Sequence, residues 1–477
     1  MLILIIKNRY TKLKNVSSKI INILQEVTSY QTLDFRFRTV FKRKEKLLRY
    51  NKKARRYYFP TGLLVDVIET LKEYNIKFKL KDKRKPPSKI EYYCWNENIK
   101  LRAYQAKAKK KILRKSDLSP GSGIIKMPIR SGKTKTAASV IKSLSVRTLF
   151  IVPSKLLLHQ TKESLEESLL CKVGIIGDGF WEEENLTVAT AQTLSRKTEA
   201  ANNDQKALRE WRKFTSKYDC VFFDEAHHLT AKTWHKVMLE FDAYYKIGLS
   251  ATAFPDMHRQ WEKGAIWLKA CCGRIKVDVQ TSHLIKKGFL VGPVVKVYEI
   301  KKPNDLKNKG WGQKLKNDAI YENRYRNKKI TKIAKKYVDK GLLVLVITNR
   351  LNQVATLSEM FDKKKISHYT VTSKDSSQVR KQKVKDFVDR SVQVLIGTVL
   401  SEGVDIPEID VVINAEGGAD IKTTIQRMRN LTVSENKKKA YVIDFLDLTN
   451  RYFTTHSRRR LRVYENEDAF KVRVVKS

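Results

Sequence analysis

The chain contains few cysteines, glycines and prolines for its length. Its 477 residues include five cysteines, 19 glycines and 10 prolines. The cysteines form neither a Cys-x-x-Cys spacing nor an even framework, which excludes a disulfide scaffold and a four-cysteine iron–sulfur cluster. We expect buried, reduced thiols, as is typical of a cytoplasmic protein, at Cys94, Cys171, Cys220, Cys271 and Cys272.

Long apolar segments are also missing. No apolar run approaches the roughly 18 residues of a membrane-spanning helix, and no basic amphipathic anchor stands out. The run Met1–Ile6 is too short for a signal peptide and no charged segment precedes it, so we interpret it as a first strand. The sequence therefore predicts a cytoplasmic protein without a membrane partner.

Acidic residues are scarce relative to basic ones. The chain has 97 Lys and Arg against 50 Asp and Glu, a formal net charge of +47. A charge of this size opposes self-association, which favours a monomer, and suits a polyanionic partner, most simply nucleic acid. Because 42% of the residues are hydrophobic, the chain can still build several cores, and its length allows about three domains.

The first 90 residues are more basic than the rest, with 24 Lys and Arg against 7 Asp and Glu. Alternating apolar residues predict strands here, and Gly62–Tyr74 has the apolar spacing of a helix. The segment Lys81–Ser88 is charged and contains a Pro pair, which is typical of a linker. Residues 1–90 are thus predicted to form a small basic α+β domain.

From about residue 101 onward, the pattern alternates between helices and short apolar strands, as a parallel sheet requires. The predicted strands form two series, at 148–152, 220–223 and 246–249, then at 342–348, 392–397, 410–413 and 441–445. The polar, irregular segment Lys301–Asn327 lies between the two series, and we interpret it as the crossing between the lobes. The predicted fold class is α/β, with one lobe over residues 91–285 and a second over residues 286–477. No repeat with a period of about 20–50 residues is apparent, which argues against a solenoid.

Two short segments carry the chemistry. Gly132, Lys133 and Thr134 end a phosphate-binding loop, in which backbone N–H groups and Lys133 hold the β/γ-phosphates and the Thr134 hydroxyl binds Mg²⁺. The apolar run before Asp224 and Glu225 predicts a buried strand that delivers both carboxylates to the carboxyl edge of a sheet. There Asp224 would complete the Mg²⁺ site and Glu225 would orient an attacking water. The pattern predicts hydrolysis of a nucleoside triphosphate.

The order of motifs between about residues 100 and 450 resembles that of superfamily 2 helicases, in particular the RecG, XPB and restriction-translocase branches. The similar segments are Leu101–Gln105, Met127–Thr134 (motif I), Ile151–Ser154 (motif Ia), Val188–Thr193, Asp224–His227 (motif II, in its DEAH form), Gly248–Thr252 (motif III), Val346–Arg350 (motif IV), Ile396–Pro407 (motif V) and Ile425–Arg429 (motif VI). The resemblance implies two tandem RecA-like lobes of the P-loop NTPase type, with ATP and Mg²⁺ as cofactors.

The resemblance also implies roles for individual residues. Gln105 would read the adenine edge with support from Arg102, and His227 would couple the lobes through hydrogen bonds. The residues implied at the nucleotide are Arg102, Gln105, Arg130, Ser131, Gly132, Lys133, Thr134, Gly403 and Asp405. The residues implied at the nucleic-acid strand are Pro153, Ser154, Thr190, Gln192, Arg350 and Thr398.

The chain departs from the family pattern at two motifs. Motif I usually has Thr and Gly where this chain has Ile129 and Arg130, which adds charge but removes backbone freedom. Motif VI usually reads Gln-x-x-Gly-Arg-x-x-Arg, and its terminal Arg is absent after Gln426. Either the loop is one residue shorter, or Arg427 and Arg429 serve as arginine fingers. On a helix, Arg429 shares a face with Gln426, so Arg429 is the better candidate.

The N-terminal segment resembles the basic module of UvsW-type recombination helicases from T-even phages. The resemblance lies in Phe35–Arg38, Tyr50-Asn51 and Phe59–Leu64. The basic residues implied at nucleic acid are Arg36, Arg38, Arg55 and Arg56, interleaved with Tyr57, Tyr58 and Phe59 for base stacking. A phage-encoded protein of this type would act in the cytoplasm of its host.

Taken together, these features predict an ATP-dependent translocase and helicase that acts on branched DNA or DNA–RNA hybrids in replication, recombination or repair. Duplex DNA and RNA within hybrids are the expected partners. One alternative is the motor of a restriction or defence system, which moves along duplex DNA without separating its strands. Another is a non-catalytic binding or annealing protein with a degenerate ATPase, which the intact residues Lys133, Asp224 and Glu225 argue against.

Overall fold

The computed structural model describes residues 1–36, 39–90, 93–114, 121–251, 263–301, 312–398, 406, 408–418 and 440–476. The chain divides into two compact units. The first contains residues 1–127 and 132–279, and the second contains residues 280–477 together with the short segment 128–131.

Residues 1–82, which we call the N-terminal module, combine a mixed sheet with helices. Its strands are β1 (Leu2–Ile6), β2 (Tyr10–Lys14), β3 (Ser29–Arg36), β4 (Thr39–Lys46), β5 (Arg49–Asn51), β6 (Arg56–Pro60) and β7 (Phe78–Asp82). Its helices are α1 (Ser18–Val27) and α2 (Leu64–Glu73), the latter preceded by a 3₁₀ turn at Thr61–Leu63. Five strands form a sheet in the order β5-β6-β2-β1-β7, and β3 pairs with β4 in a separate hairpin. Leu2, Leu4 and Ile6 alternate into the core, which confirms the predicted first strand.

The rest of the first unit is built around an eight-stranded sheet in the order β11-β10-β12-β9-β13-β14-β8-β15. The strands are β8 (Gly123–Lys126), β9 (Thr148–Val152), β10 (Gly174–Gly177), β11 (Phe180–Glu182), β12 (Leu186–Thr190), β13 (Cys220–Phe223), β14 (Tyr245–Ser250) and β15 (Ile275–Asp278). The helices are α3 (Ala103–Ile112), α4 (Lys133–Leu144), α5 (Lys155–Leu169), α6 (Ala191–Asn203), α7 (Gln205–Thr215), α8 (Lys232–Glu240) and α9 (Lys263–Cys272), with a 3₁₀ helix at Ala226–Thr230. The paired strands are parallel except at edge strand β11. The carboxyl ends of β8, β9, β12, β13 and β14 therefore meet at one edge, which we call the carboxyl edge.

The N-terminal module and the eight-stranded sheet share one hydrophobic core. Helix α9 lies at this junction, where Trp267 Nε1 donates a hydrogen bond to Tyr30 OH at 3.2 Å. The buried Asp66 carboxylate of α2 accepts from Lys269 Nζ at 3.1 Å and from Arg274 Nη2 at 2.9 Å. Because breaking a buried ion pair is costly, these contacts hold the module firmly on the lobe.

The second unit contains a seven-stranded sheet in the order β18-β19-β17-β20-β21-β16-β22, in which all paired strands are parallel. The strands are β16 (Pro293–Lys301), β17 (Val344–Ile347), β18 (His368–Val371), β19 (Val394–Gly397), β20 (Val411–Asn414), β21 (Ala440–Leu448) and β22 (Lys471–Val475). The helices are α10 (Thr281–Lys286), α11 (Gly312–Lys316), α12 (Arg324–Val338), α13 (Leu351–Asp362), α14 (Ser377–Val388) and α15 (Arg451–Glu465). Both units thus have the RecA-like arrangement of a parallel sheet with helices, as the sequence predicted.

The predicted irregular crossing at Lys301–Asn327 is wrong where the structure describes it. Helix α11 is followed directly by a π-helical turn at Asn317–Tyr321 and then by α12. Leu315, Ala319, Ile320 and Tyr321 belong to an apolar cluster of the second unit, which explains why this polar-looking segment is ordered. The division between the units falls instead between residues 279 and 280.

The expectation of five buried thiols holds for three of them. Cys220, Cys271 and Cys272 are buried, whereas Cys94 is exposed and Cys171 is half-buried, and all five are free. Sequence spacing excludes a disulfide framework, but it carries no signal for the exposure of a single side chain. In the part of the chain that the structure describes, no helix has the length and apolar content that a bilayer span requires.

Candidate active site and nucleic-acid interface

The predicted phosphate loop connects the carboxyl end of β8 to the start of α4. Gly132 is the N-cap of α4 and has a left-handed backbone with φ +73°. Arg130 also has a left-handed backbone, with φ +66°, at the position where the family pattern has Gly. A non-glycine residue in this region carries strain of roughly 1–2 kcal/mol. Arg130 therefore bears a backbone cost that Gly would avoid.

Gln105 lies against this loop. Its Nε2 donates to the carbonyl of Gly132 at 3.5 Å, and its Oε1 accepts from the Arg102 backbone N–H at 2.8 Å. A Cβ on residue 132 would lie 2.4 Å from Gln105 Nε2, so another residue here would displace this carboxamide, and the φ angle would remain strained. The carboxamide thus connects the first turn of α3 to the phosphate loop, and adenine recognition by Gln105 and Arg102 stays a prediction.

The two motif II carboxylates follow β13 at the carboxyl edge. Asp224 is buried, its backbone N–H donates to Ile151 O at 2.8 Å, and its Oδ1 accepts from the Glu225 N–H at 2.9 Å. Burial and the charge of Glu225 raise the pKa of Asp224 to about 6, against the effect of Lys133. Burial alone would raise the pKa of Glu225, but Lys133 and His227 outweigh it and lower that pKa. Lys133 therefore acts electrostatically on both carboxylates.

His227 connects motif II to motif III inside the first unit. Its Nδ1 lies 3.3 Å from Glu225 Oε2 and 3.4 Å from Ser250 Oγ, at the end of β14. The ring is buried, which fixes its orientation. His227 thus links the motif II carboxylate Glu225 to Ser250 of motif III within the same lobe, and its role in coupling the lobes stays a prediction.

The oxygen donors at this edge have the chemistry that Mg²⁺ prefers. Thr134, in the first turn of α4, supplies a hydroxyl and Asp224 supplies a buried carboxylate. Mg²⁺ is held in proteins by one or two carboxylates, with water and phosphate oxygens completing its shell. The burial of the Asp224 charge, which raises its pKa, is what a divalent cation would offset. Thr134 and Asp224 therefore fit a Mg²⁺ site.

The predicted strand-binding residues of the first unit lie at the same carboxyl edge, after β9 and β12. Ser154 Oγ accepts from Leu157 N–H at 3.3 Å and thereby caps α5. Thr190 Oγ1 caps α6 in the same way. Pro153 is buried and Gln192 is exposed. Of these four residues, only Gln192 presents a largely accessible side chain, so the loop backbones and helix N-termini are the accessible groups here.

The second-unit residues of the prediction are described only in part. Arg350 is exposed, begins α13 as its N-cap, and donates through Nη2 to Gln313 Oε1 at 2.5 Å. Thr398 follows β19, and its backbone N–H donates to Val371 O at 3.2 Å. Predicted residues that lie outside the described ranges are Gly403, Asp405, Gln426, Arg427 and Arg429.

In the N-terminal module, Arg55 and Arg56 are exposed, whereas Phe59 is fully buried. The predicted role of Phe59 in base stacking is therefore wrong, because side chains alternate along β6 and Phe59 points into the core. Arg36 ends β3, and nothing is described of its side chain; Arg38 lies outside the described residues. Tyr50 is part of the N-terminal resemblance, which gave it no role; it is 49% exposed and pairs with Tyr57 across the hairpin of β5 and β6.

Two buried arginines of the second unit were also missed. In the run Arg458–Arg460, the first two side chains are exposed, but Arg460 is only 1% exposed. Its guanidinium donates to the carbonyl of Gly418, and Arg326 Nη1 donates to the carbonyl of Ala415 at 2.6 Å. These carbonyls belong to the segment that leads from β20 towards motif VI. An Arg-rich run on a helix gives no local signal for which member turns inward.

Comparison with known proteins agrees with this arrangement. Residues 98–254 match the family described as "Type III restriction enzyme, res subunit", and residues 327–429 match the "Helicase conserved C-terminal domain". Together the two matches cover more than half of the chain. The first match includes motifs I to III, and the second begins in α12 and includes motifs IV to VI.

Relatives in sequence point to the same group, and a solved structure shares the fold. A protein of Sulfolobus islandicus filamentous virus described as helicase 22 is 26% identical over 80% of this chain and 70% of its own length. DNA 3'-5' translocase XPB2 of Sulfurisphaera tokodaii is 25% identical over 76% of this chain and 85% of its own length. The fold is similar to that of S. cerevisiae Dbp5 bound to RNA and ADP BeF3, with a TM-score of 0.55, 17% identity, and coverage of 79% of this chain and 90% of that one. The chain belongs to the superfamily 2 helicases, and it is an ATP-dependent motor of the helicase type that acts on nucleic acid.

Proposed function

We propose that this motor is a DNA translocase and helicase that remodels branched DNA or DNA–RNA hybrids in replication, recombination or repair. One observation carries the proposal: the basic N-terminal module shares a core and buried ion pairs with the lobe that holds Lys133, Asp224 and Glu225. A second nucleic-acid contact fixed to the motor lobe suits a substrate with more than one arm, because each arm then has its own contact surface.

The chemistry follows from the residues at the carboxyl edge. Lys133 and the N-terminal N–H groups of α4 bind the phosphates, and Thr134 and Asp224 would hold Mg²⁺. When bound, the metal would supply positive charge that stabilises the transition state. Glu225, whose pKa is lowered, stays ionised and orients the attacking water. His227 then links the state of Glu225 to Ser250 in motif III.

The choice of DNA as the proposed track rests on a relative, because the charge of the chain does not distinguish DNA from RNA. The net charge of +47 is suited to a polyanion of either kind. The relative from Sulfurisphaera tokodaii, which aligns over 76% of this chain, is named a DNA translocase. RNA enters the proposal as one strand of a DNA–RNA hybrid.

Strand-displacement assays test the proposal. A labelled fork, a Holliday junction and an R-loop are incubated side by side with the protein, Mg²⁺ and ATP. We expect ATP-dependent release of a labelled strand from at least one of them, and faster release than from a plain duplex with one single-stranded tail. The Glu225→Gln variant serves as the control for ATP dependence. Equal rates on branched and tailed substrates would contradict the choice of branched DNA.

A second candidate is the motor of a restriction or defence system, which the match of residues 98–254 to the restriction-enzyme family favours. Such a motor moves along duplex DNA without separating its strands. Displacement of a triplex-forming oligonucleotide from an intact duplex, with no strand release from forks or R-loops, would support this candidate over the first.

A further inference from the structure

The edge of the N-terminal sheet carries a short basic hairpin, formed by β5, the turn Lys52–Arg55, and β6. Strand β5 is the edge strand, and all three of its residues are exposed. Five of the hairpin's exposed side chains are basic, namely Arg49, Lys52, Lys53, Arg55 and Arg56. The sequence of residues 49–60 contains no Asp or Glu. The hairpin is therefore a local concentration of positive charge without acidic residues of its own.

Two tyrosines form a ring pair on one face of this hairpin. Tyr50 and Tyr57 are directly opposite each other in the antiparallel register, and their ring centroids are 4.9 Å apart with an interplanar angle of 51°. Tyr57 is half-buried and packs against the shared core, whereas Tyr50 is 49% exposed. The inner ring thus supports the outer one, whose far face is accessible to solvent.

The turn that connects the strands is held in a defined shape. Asn51 Oδ1 accepts from the Ala54 backbone N–H at 2.9 Å, and Arg55 has a left-handed backbone with φ +48°. This local structure defines the backbone positions from which the basic side chains extend beside the tyrosine pair. A preformed site loses less conformational entropy when it binds a flexible ligand.

We propose that the hairpin binds a single strand of nucleic acid, with Tyr50 stacking on an unpaired base and the basic side chains contacting the phosphates on either side. An exposed ring surrounded by positive charge matches a base next to its phosphates, and such stacking accepts any base. Duplex DNA presents no free base faces, so the ring selects unpaired bases. The inference rests on the proposed function and specifies its substrate class: a junction at which unpaired bases lie beside a duplex.

The test uses the full chain and compares Tyr50→Ala with Tyr50→Phe, which keeps a ring. Tyr74→Ala is the matched control, because Tyr74 is also 49% exposed and ends α2 in the same module. The probes are a labelled oligothymidylate and a blunt duplex of similar length, with no nucleotide added, titrated at several salt concentrations. Thermal unfolding of each variant confirms that it is folded.

Tyr50→Ala is expected to weaken oligothymidylate binding on the order of 10-fold, without changing the salt dependence, since no charge is removed. Tyr50→Phe, Tyr74→Ala and all blunt-duplex affinities should stay within about 2-fold of wild type. Arg55→Ala should instead lower the salt slope by about 0.7 on the single strand.

Unchanged oligothymidylate binding by Tyr50→Ala would overturn the inference. The basic hairpin would then fit an acidic protein partner better than a nucleic acid. An equal loss on both probes would overturn it as well. Failure of the proposed function is a separate result, because it would appear as wild-type protein that separates no strands.

Discussion

Arg460 and Asp444 form a bidentate ion pair inside the second unit. Arg460 Nε lies 3.0 Å from Asp444 Oδ2, and Arg460 Nη2 lies 3.0 Å from Asp444 Oδ1. Tyr464 OH also donates to Asp444 Oδ2, at 2.8 Å. Burial alone would raise the pKa of Asp444, but Arg460 outweighs it and lowers that pKa. Because Arg460 also donates to the Gly418 carbonyl, the pair connects α15 to the segment that leads towards motif VI.

Replacing Arg460 should therefore destabilise the folded protein. Arg460→Ala leaves Asp444 as a buried charge without its main partner, which lowers the free energy of unfolding by about 3–5 kcal/mol. The neighbouring Arg459 is exposed on the same helix, so Arg459→Ala should change it by no more than about 0.5 kcal/mol. Urea unfolding followed by circular dichroism measures both variants. A similar cost for both would contradict the inward orientation of Arg460.

The roles of Lys133 and Glu225 separate ATP binding from turnover. Glu225→Gln keeps the size of the side chain but loses the negative charge that orients water, so turnover should fall about 100-fold or more while ATP still binds. Lys133→Ala should weaken ATP binding itself, and DNA binding should persist in both variants because most positive charge lies elsewhere. Steady-state ATPase rates and binding of a fluorescent ATP analogue distinguish the two effects. Wild-type hydrolysis by either variant would show that the site is assigned wrongly.

The left-handed backbone of Arg130 allows a paired comparison. Arg130→Gly and Arg130→Ala both remove the charge, but only Gly removes the backbone strain at φ +66°. We expect Arg130→Gly to be more stable than Arg130→Ala by about 1 kcal/mol. If the charge aids phosphate binding, both variants should raise KM for ATP by the same factor. Thermal unfolding without nucleotide gives the first comparison, and equal stabilities would contradict it.

The burial of Lys246 should make the stability of the protein depend on pH in the alkaline range. It is buried in β14, and burial, with a further effect of Arg9, lowers its pKa to about 8 from 10.5. The native state therefore binds fewer protons than the unfolded state between these values, so stability rises with pH there. Lys246→Met should stabilise the protein by roughly 3 kcal/mol at neutral pH, and by roughly half of that at a pH of about 9.5.

Urea unfolding of wild type and Lys246→Met across this pH range measures the difference. Lys213 is exposed on α7, so Lys213→Met serves as the control and should show no such pH dependence. A constant difference between wild type and Lys246→Met would mean that folding does not lower the pKa of Lys246.

The arginine finger is predicted from helical spacing. If motif VI is helical, Arg429 shares the face of Gln426, and Arg427 points about 100° away. Arg429→Ala should then lower kcat for ATP on the order of 10³-fold with little change in DNA affinity, as expected for stabilisation of charge in the transition state. Arg427→Ala should cost less. Single-turnover hydrolysis that gives the reverse order would assign the finger to Arg427.

The sequence predicted the positions of those candidate site residues that directly follow a parallel strand. Buried runs such as those of β9 and β13 have few alternatives, and the residues after them lie at the carboxyl edge by topology alone. This is why the positions of Asp224 and Glu225 could be predicted. The solvent exposure of each of the five thiols depends on tertiary packing, and so does the helical structure after residue 312. Neither can be predicted from the neighbouring residues in the sequence.

Long-range partners explain the other errors. Arg460 is paired with Asp444, 16 residues earlier, and nothing in the run Arg458–Arg460 distinguishes it from its exposed neighbours. Tyr50 becomes part of a ring pair only through the register of β5 and β6. The aromatic and basic run at Arg55–Phe59 drew attention to Phe59, whose position in the strand instead points it into the core.

The joint core of the N-terminal module and the motor lobe also constrains how such a chain can evolve. A module attached by a linker alone can be exchanged between motors by recombination at the linker. Here the exchange would leave Lys269 and Arg274 without Asp66, and would uncover Trp267. A different module would therefore be compatible only if α9 changed with it. We expect the preference for nucleic-acid substrates to change through point substitutions on the exposed hairpin rather than through exchange of whole domains.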